Sequence, residues 1–152
     1  MKDLSSKRQV VREVITSGKI FLKEKTIKRI VDKEIEDGDV LAQAEIAAIN
    51  AAKQTSGLIP MCHQIPLESI QVTFDVQDKF IEVKSTVKAT AKSGVEMESM
   101  MATAVALNTV LQMVKEHEED DNGQFPDAWI TDMRIEKKER RTPQMPKEFS
   151  PL

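Results

Sequence analysis

Two periods of apolar spacing divide the chain into strands and helices. From Val14 to Leu22 (VITSGKIFL) the pattern fits a first strand, with a short helix expected around Thr26 to Asp32. Gly38-Asp39 opens a clearer helical stretch, where Val40, Leu41, Ala44, Ala47, Ala48 and Ala51 recur at helical spacing and Gly57 supplies a stop. Its many alanines allow close packing against another element. Leu58 to Leu67 is apolar but carries two prolines, so it reads as a rigid loop. Ile70, Val72, Phe74 and Val76, then Ile81, Val83 and Val87, alternate with polar residues and predict a hairpin turning near Gln77-Asp78-Lys79. A second long helix is expected from Ser93 to about Glu116, opened by a capping-box pattern, Ser93-x-x-Glu96. Trp129, Met133 and Ile135 mark a last strand.

The ends and one connection are polar. Met1 to Arg12 reads as a basic arm, His117 to Gly123 (HEEDDNG) as a solvated acidic loop, and the tail from Thr142, with three prolines, as extended. Strand, helices, two strands, helix, strand is the order of an α+β, ferredoxin-like split βαβ fold, an antiparallel sheet with helices on one face. One domain over residues 1–141 and a Pro-rich tail over 142–152 are expected.

Composition narrows the function. The chain has 152 residues, enough for a real core. It is 40% hydrophobic and 31% charged, a globular balance, and no apolar run is long enough to span a bilayer. A single cysteine, Cys62, and the lack of a signal-peptide core in MKDLSSKRQVVRE point to a cytoplasmic protein. A formal net charge of −3 argues against nucleic-acid binding through bulk electrostatics, although a phosphate-bearing small substrate needs only a few placed cations. Two histidines and one cysteine do not make a closed transition-metal site. No cofactor and no metal are expected.

Candidate chemistry gathers at four places. On the second long helix Met97, Met101, Ala104, Asn108, Leu111 and Lys115 share one stripe. Spacing alone reads Lys115 as a helix-end cation suited to the dipole. Eighteen residues, roughly 27 Å of helix, separate Met97 from Lys115, so one small ligand reaches both only across two subunits. Glu96 is explained by the capping box, whereas Glu98 is a first-turn glutamate without that explanation. His63, in the stiff Pro60-Met61-Cys62-His63 turn, is a candidate acid or base, or equally a packed, hydrogen-bonded histidine. Lys53 at a helix end and Lys7, Arg8 and Arg12 on the arm are candidate anion partners. No glycine-rich phosphate loop, GxSxG or CxxC pattern is present.

Taken together, Asp3-Leu-Ser-Ser-Lys7, Arg12, Gly38-Asp39-Val40, Ala51-Ala52-Lys53, Leu58-Ile-Pro-Met-Cys-His63 and Ser93-Gly-Val-Glu-Met-Glu98 stand in an order that resembles the cyclic pyranopterin monophosphate synthase family, also called molybdenum cofactor biosynthesis protein C. The resemblance implies a ferredoxin-like lyase of molybdenum cofactor biosynthesis. Such an enzyme converts a cyclised dihydroguanosine triphosphate to cyclic pyranopterin monophosphate with loss of pyrophosphate. It also implies a homohexamer built from dimers, with the pocket between subunits. Carried over to this sequence, Lys115 and His63 would be catalytic. Met61, Cys62, Met97, Glu98 and Glu96 would line the pocket, and Lys53, Arg12 and Lys7 would supply positive charge. Two positions depart from the pattern. Asp37 stands where the family has the lysine of a Lys-Gly-Asp motif, and Gln112, a third catalytic position, stands where it has an aspartate. Lys33 or a basic residue of the Lys137 to Arg141 run is a candidate replacement for the missing lysine.

Overall fold

A computed structural model of the chain describes residues 1–144. Seven elements follow one another: β1 (Val10–Phe21), α1 (Glu24–Val31), α2 (Val40–Leu58), β2 (Ser69–Val76), β3 (Phe80–Ala91), α3 (Glu96–Glu118) and β4 (Trp129–Arg141). The strands form one antiparallel sheet in the order β2-β3-β1-β4. α2 and α3 pack side by side on one face, which is the expected α+β arrangement.

The core follows from period-2 and period-3.6 burial. Ile20, Ile81 and Val83 from the sheet meet Ala44, Ala48 and Ala52 of α2 and Ala106, Leu107 and Val110 of α3. Small residues on α2 let its backbone approach α3, as the alanine pattern predicts. At Gly18 the strand and α3 nearly touch: an added Cβ would lie 2.8 Å from Leu107 Cδ1 and 2.9 Å from Met133 Cγ. Between sheet and helix sits a buried set of hydroxyls, in which Thr16 Oγ1 contacts Ser99 Oγ at 2.9 Å and Thr103 Oγ1 at 2.7 Å. Each is satisfied, so the polar layer fixes register without an unpaired group.

Several boundaries differ from the sequence expectation. β1 begins at Val10 rather than Val14, because Val10, Val11 and Arg12 pair with Ala91, Thr90 and Ala89 of β3. Arg12 therefore belongs to the sheet and not to a free arm. Asp39 caps α2, accepting from the Ala42 N–H at 3.1 Å, and Gly38 precedes it at φ +116°, a conformation only glycine adopts freely. α2 runs one residue past Gly57, and the two-proline loop follows as expected.

The capping box does not form. α3 starts at Glu96 with Val95 at its N-cap and no side-chain cap, since Glu96 turns instead to Lys138. The acidic run is also not wholly solvated. α3 extends through Glu118, whose side chain is fully buried and accepts from the Lys23 backbone N–H at 3.2 Å and from Thr26 Oγ1. Glu118 thus caps the start of α1 from another helix. The Pro-rich tail lies outside the described residues from position 145 onward. Among the described residues no helix is long and apolar enough to cross a membrane.

Candidate active site

Antiparallel pairing fixes where charge collects. β1 starts at the edge where β3 and β4 both end, so Arg12 stands opposite Ala89 on one side and Arg140 on the other. The loops after β3 and after α2 close over the same edge. They enclose a cavity of about 710 Å³ between Arg12, Arg140 and Lys138 of the sheet, Lys92 of the β3–α3 loop, His63 and Met61 of the α2–β2 loop, and Lys2, Lys7 and Arg8 of the N-terminal segment. Among the described residues, Glu96 is the one carboxylate that lines it.

Arg12 is held rather than waving. It is buried, and it donates Nε to the Ala91 carbonyl at 3.3 Å and Nη2 to the Lys92 carbonyl at 3.2 Å. Glu96 pairs with Lys138 Nζ at 2.5 Å. Burial pushes the Glu96 carboxyl up, but Lys138, its own backbone N–H and Arg12 outweigh it, and the group ends below the usual glutamate range. A side chain on Gly94 would collide with this carboxylate, so glycine leaves Glu96 room to fold back toward the loop.

Glu98, two residues on, is in the opposite state. It is 4% exposed, and burial raises its pKa, with the Glu96 charge adding to the rise against its own backbone N–H. Burial likewise raises the Cys62 thiol, helped by Glu98 and then Glu96. A thiol kept protonated is no ready nucleophile, and Cys62 is not among the residues that line the cavity. His63 Nε2 lies 2.8 Å from the Lys2 carbonyl oxygen.

The remaining predicted residues lie elsewhere on the protomer. Met97 is 39% exposed and turned outward. Lys115 and Gln112 line a separate concavity of about 220 Å³ with Asn108, Leu111 and Phe125, at the far end of α3. Lys53 lines a third hollow, beside Pro66 and Ser69. The α3 stripe read from the sequence is not the core face. Ala102, Thr103, Ala106, Leu107, Val110 and Val114 are buried, whereas Met101, Ala104 and Leu111 are half-covered and Asn108 and Lys115 exposed. Lys33 forms an ion pair at 3.3 Å with Asp39, outside the cavity.

Sequence reasoning missed Lys92 and Lys2, and named Lys138 and Arg140 only as part of a run. The available signal was topological: in an antiparallel sheet the end of β4 must lie beside the start of β1.

The chain matches the MoaC family model over residues 1–140. It is 50% identical over 133 residues to a probable cyclic pyranopterin monophosphate synthase of Sulfurisphaera tokodaii, covering 88% of each chain. A protein of the same name from Saccharolobus solfataricus is 47% identical over 135 residues, or 89% of this chain and 91% of the relative. A probable cyclic pyranopterin monophosphate synthase accessory protein of Methanothermobacter thermautotrophicus is 46% identical over 140 residues, or 92% and 88%. With nearly its whole described length matched, and with the LIPMCH and GVEME blocks walling one basic cavity, this chain belongs to the MoaC family.

Proposed function

We propose that the protein is a cyclic pyranopterin monophosphate synthase of molybdenum cofactor biosynthesis. On this reading it takes a cyclised dihydroguanosine triphosphate and releases pyrophosphate. The observation that carries this reading is the cavity itself, in which His63 stands among Arg12, Lys92, Lys138 and Arg140. A cluster of cations, with Arg12 and Lys92 held by backbone carbonyls, suits a triphosphate, whose charge it would stabilise while pyrophosphate leaves. A histidine beside them is placed to move protons as the ring system is rebuilt. Glu98 is a buried carboxyl whose pKa burial raises, so it holds its proton to higher pH than an exposed glutamate and, when protonated, can donate a hydrogen bond.

Lys115 and Gln112 reach this chemistry from a second copy of the chain. α3 separates its two ends by roughly 27 Å, but Met97, Met101 and Leu111 leave a half-covered apolar stripe between them, and Ile46 and Leu58 of α2 are exposed. A partner docked on these helices covers the stripe and brings its own α3 end toward the cavity. The assembly is a cytoplasmic homohexamer of such dimers. The direct test is turnover of the cyclised triphosphate by the purified protein, followed as pyrophosphate release and pterin formation. Lys115→Ala is expected to remain oligomeric and lose at least about a hundredfold in kcat.

A second reading, a non-catalytic accessory protein that keeps the fold and binds the nucleotide, is favoured by Asp37 and Gln112 and by the name of the Methanothermobacter relative. Glutamine cannot act as a general acid or base. A folded, oligomeric protein that binds the triphosphate without turning it over would select this reading. Gain of turnover in the Asp37→Lys, Gln112→Asp double variant would then locate the defect.

A further inference from the structure

The segment from Lys2 to Lys7 is held by specific contacts. Asp3 Oδ1 accepts from the Ser5 backbone N–H at 2.8 Å and from Ser5 Oγ at 2.7 Å, and the Lys7 N–H donates to the Leu4 carbonyl at 3.0 Å. The resulting turn is tied down twice. Lys92 Nζ donates to the Ser5 carbonyl at 3.4 Å, and the Lys2 carbonyl meets His63 Nε2 at 2.8 Å. These tethers reach the two loops that wall the basic cavity.

A carbonyl oxygen only accepts, so the contact with Lys2 requires His63 Nε2 to carry a hydrogen. In the neutral ring Nδ1 is then the unprotonated nitrogen. We propose that the N-terminal arm is a positioning element of the site, in which the Lys2 carbonyl fixes the His63 ring as its Nε2–H tautomer and assigns proton transfer to Nδ1. Neutral His63 takes a proton at Nδ1 and returns that same proton, while the Nε2–H stays on Lys2 throughout. The catalytic use of His63 rests on the functional reading above; the tautomer and its cause do not.

Nitrogen-15 labelling of histidine in the full-length protein tests this, because the chain has only two histidines and a His117→Gln variant assigns them. The expected spectrum shows a slowly exchanging Nε2–H on His63 and a non-protonated Nδ1. Lys2→Ala, which keeps the carbonyl, is expected to retain that signal. Deletion of residues 1–3 is expected to abolish it, and Asp3→Ala, which loosens the turn and leaves the fold untouched, to weaken it. In turnover the deletion is expected to lower kcat by about tenfold or more with a much smaller change in KM. A proton on Nδ1, or an Nε2–H signal indifferent to the deletion, would overturn the proposal. So would a deletion that lowers KM and leaves kcat intact, because the arm would then merely occlude the cavity. The spectra decide the tautomer even if the protein turns nothing over.

Discussion

Glu96 and Glu98 are two residues apart on one helix turn, yet their surroundings drive them in opposite directions. Lys138 holds Glu96 ionised, and that contribution to stability is present above the ordinary glutamate range and lost as pH falls through its depressed pKa. Glu98 is the reverse case. Burial raises its folded pKa, so ionised Glu98 costs stability at neutral pH, and that cost disappears as pH falls through the raised value toward the ordinary one. Glu98→Gln is therefore expected to raise the Tm at pH 7, with the gain vanishing in acid, while turnover falls. Thermal melts across pH check the sign. Glu118 sets a second residue-scale prediction. Glu118→Ala strands the Lys23 N–H and Thr26 hydroxyl in a buried place, a loss of about 2 kcal/mol. At this chain length that is a fall of about 4–8 °C in Tm. None of this was legible in HEEDDNG, because composition marks the run as polar and only the third dimension brings the start of α1 over Glu118.

At the scale of elements, the sheet and helices were legible because their periods are strong. Alternation from Ile70 to Val76 and from Ile81 to Val87 found β2 and β3, and the α2 alanines found the helix that packs on α3. The ends were not legible, since β1 gains its first residues by pairing with β3 and, from Val11 on, with β4. Arg12 looked like part of a flexible arm for the same reason. The α3 stripe misled in a useful way. Its residues are only half-covered or exposed, with Leu111 at the margin of the core, and the true core face is masked in sequence by buried Ser99 and Thr103, which look polar but hydrogen-bond within the hydroxyl layer. Close approach of β1 to α3 gives a further prediction. Gly18→Ala forces a methyl against Leu107 and Met133 and is expected to destabilise by about 1–3 kcal/mol in chemical denaturation.

Across the whole molecule, and apart from Lys53 in its own hollow, most of the candidate residues gather at the two ends of α3. His63, Arg12, Lys7, Glu96 and Met61 share the basic cavity, while Lys115 and Gln112 sit at the other end. Such a division makes sense when two copies complete each other's sites. Met101→Asp, on the half-covered stripe, is expected to give a smaller species in light scattering and to lose turnover together with assembly. A mixed assembly of His63→Gln and Lys115→Ala protomers, each inactive alone, is expected to recover about a quarter of the wild-type activity, since half of randomly formed dimers carry one intact site of two.

The central claim, that the basic cavity makes this chain a synthase, meets its most direct test in steady-state turnover of the cyclised dihydroguanosine triphosphate, with pyrophosphate and pterin measured together. Both products are expected in equal amounts from the wild-type protein, and neither from Lys115→Ala. Binding of the triphosphate by a folded oligomer with no release of either product would contradict it, and would leave the cavity as the nucleotide-holding site of an accessory protein.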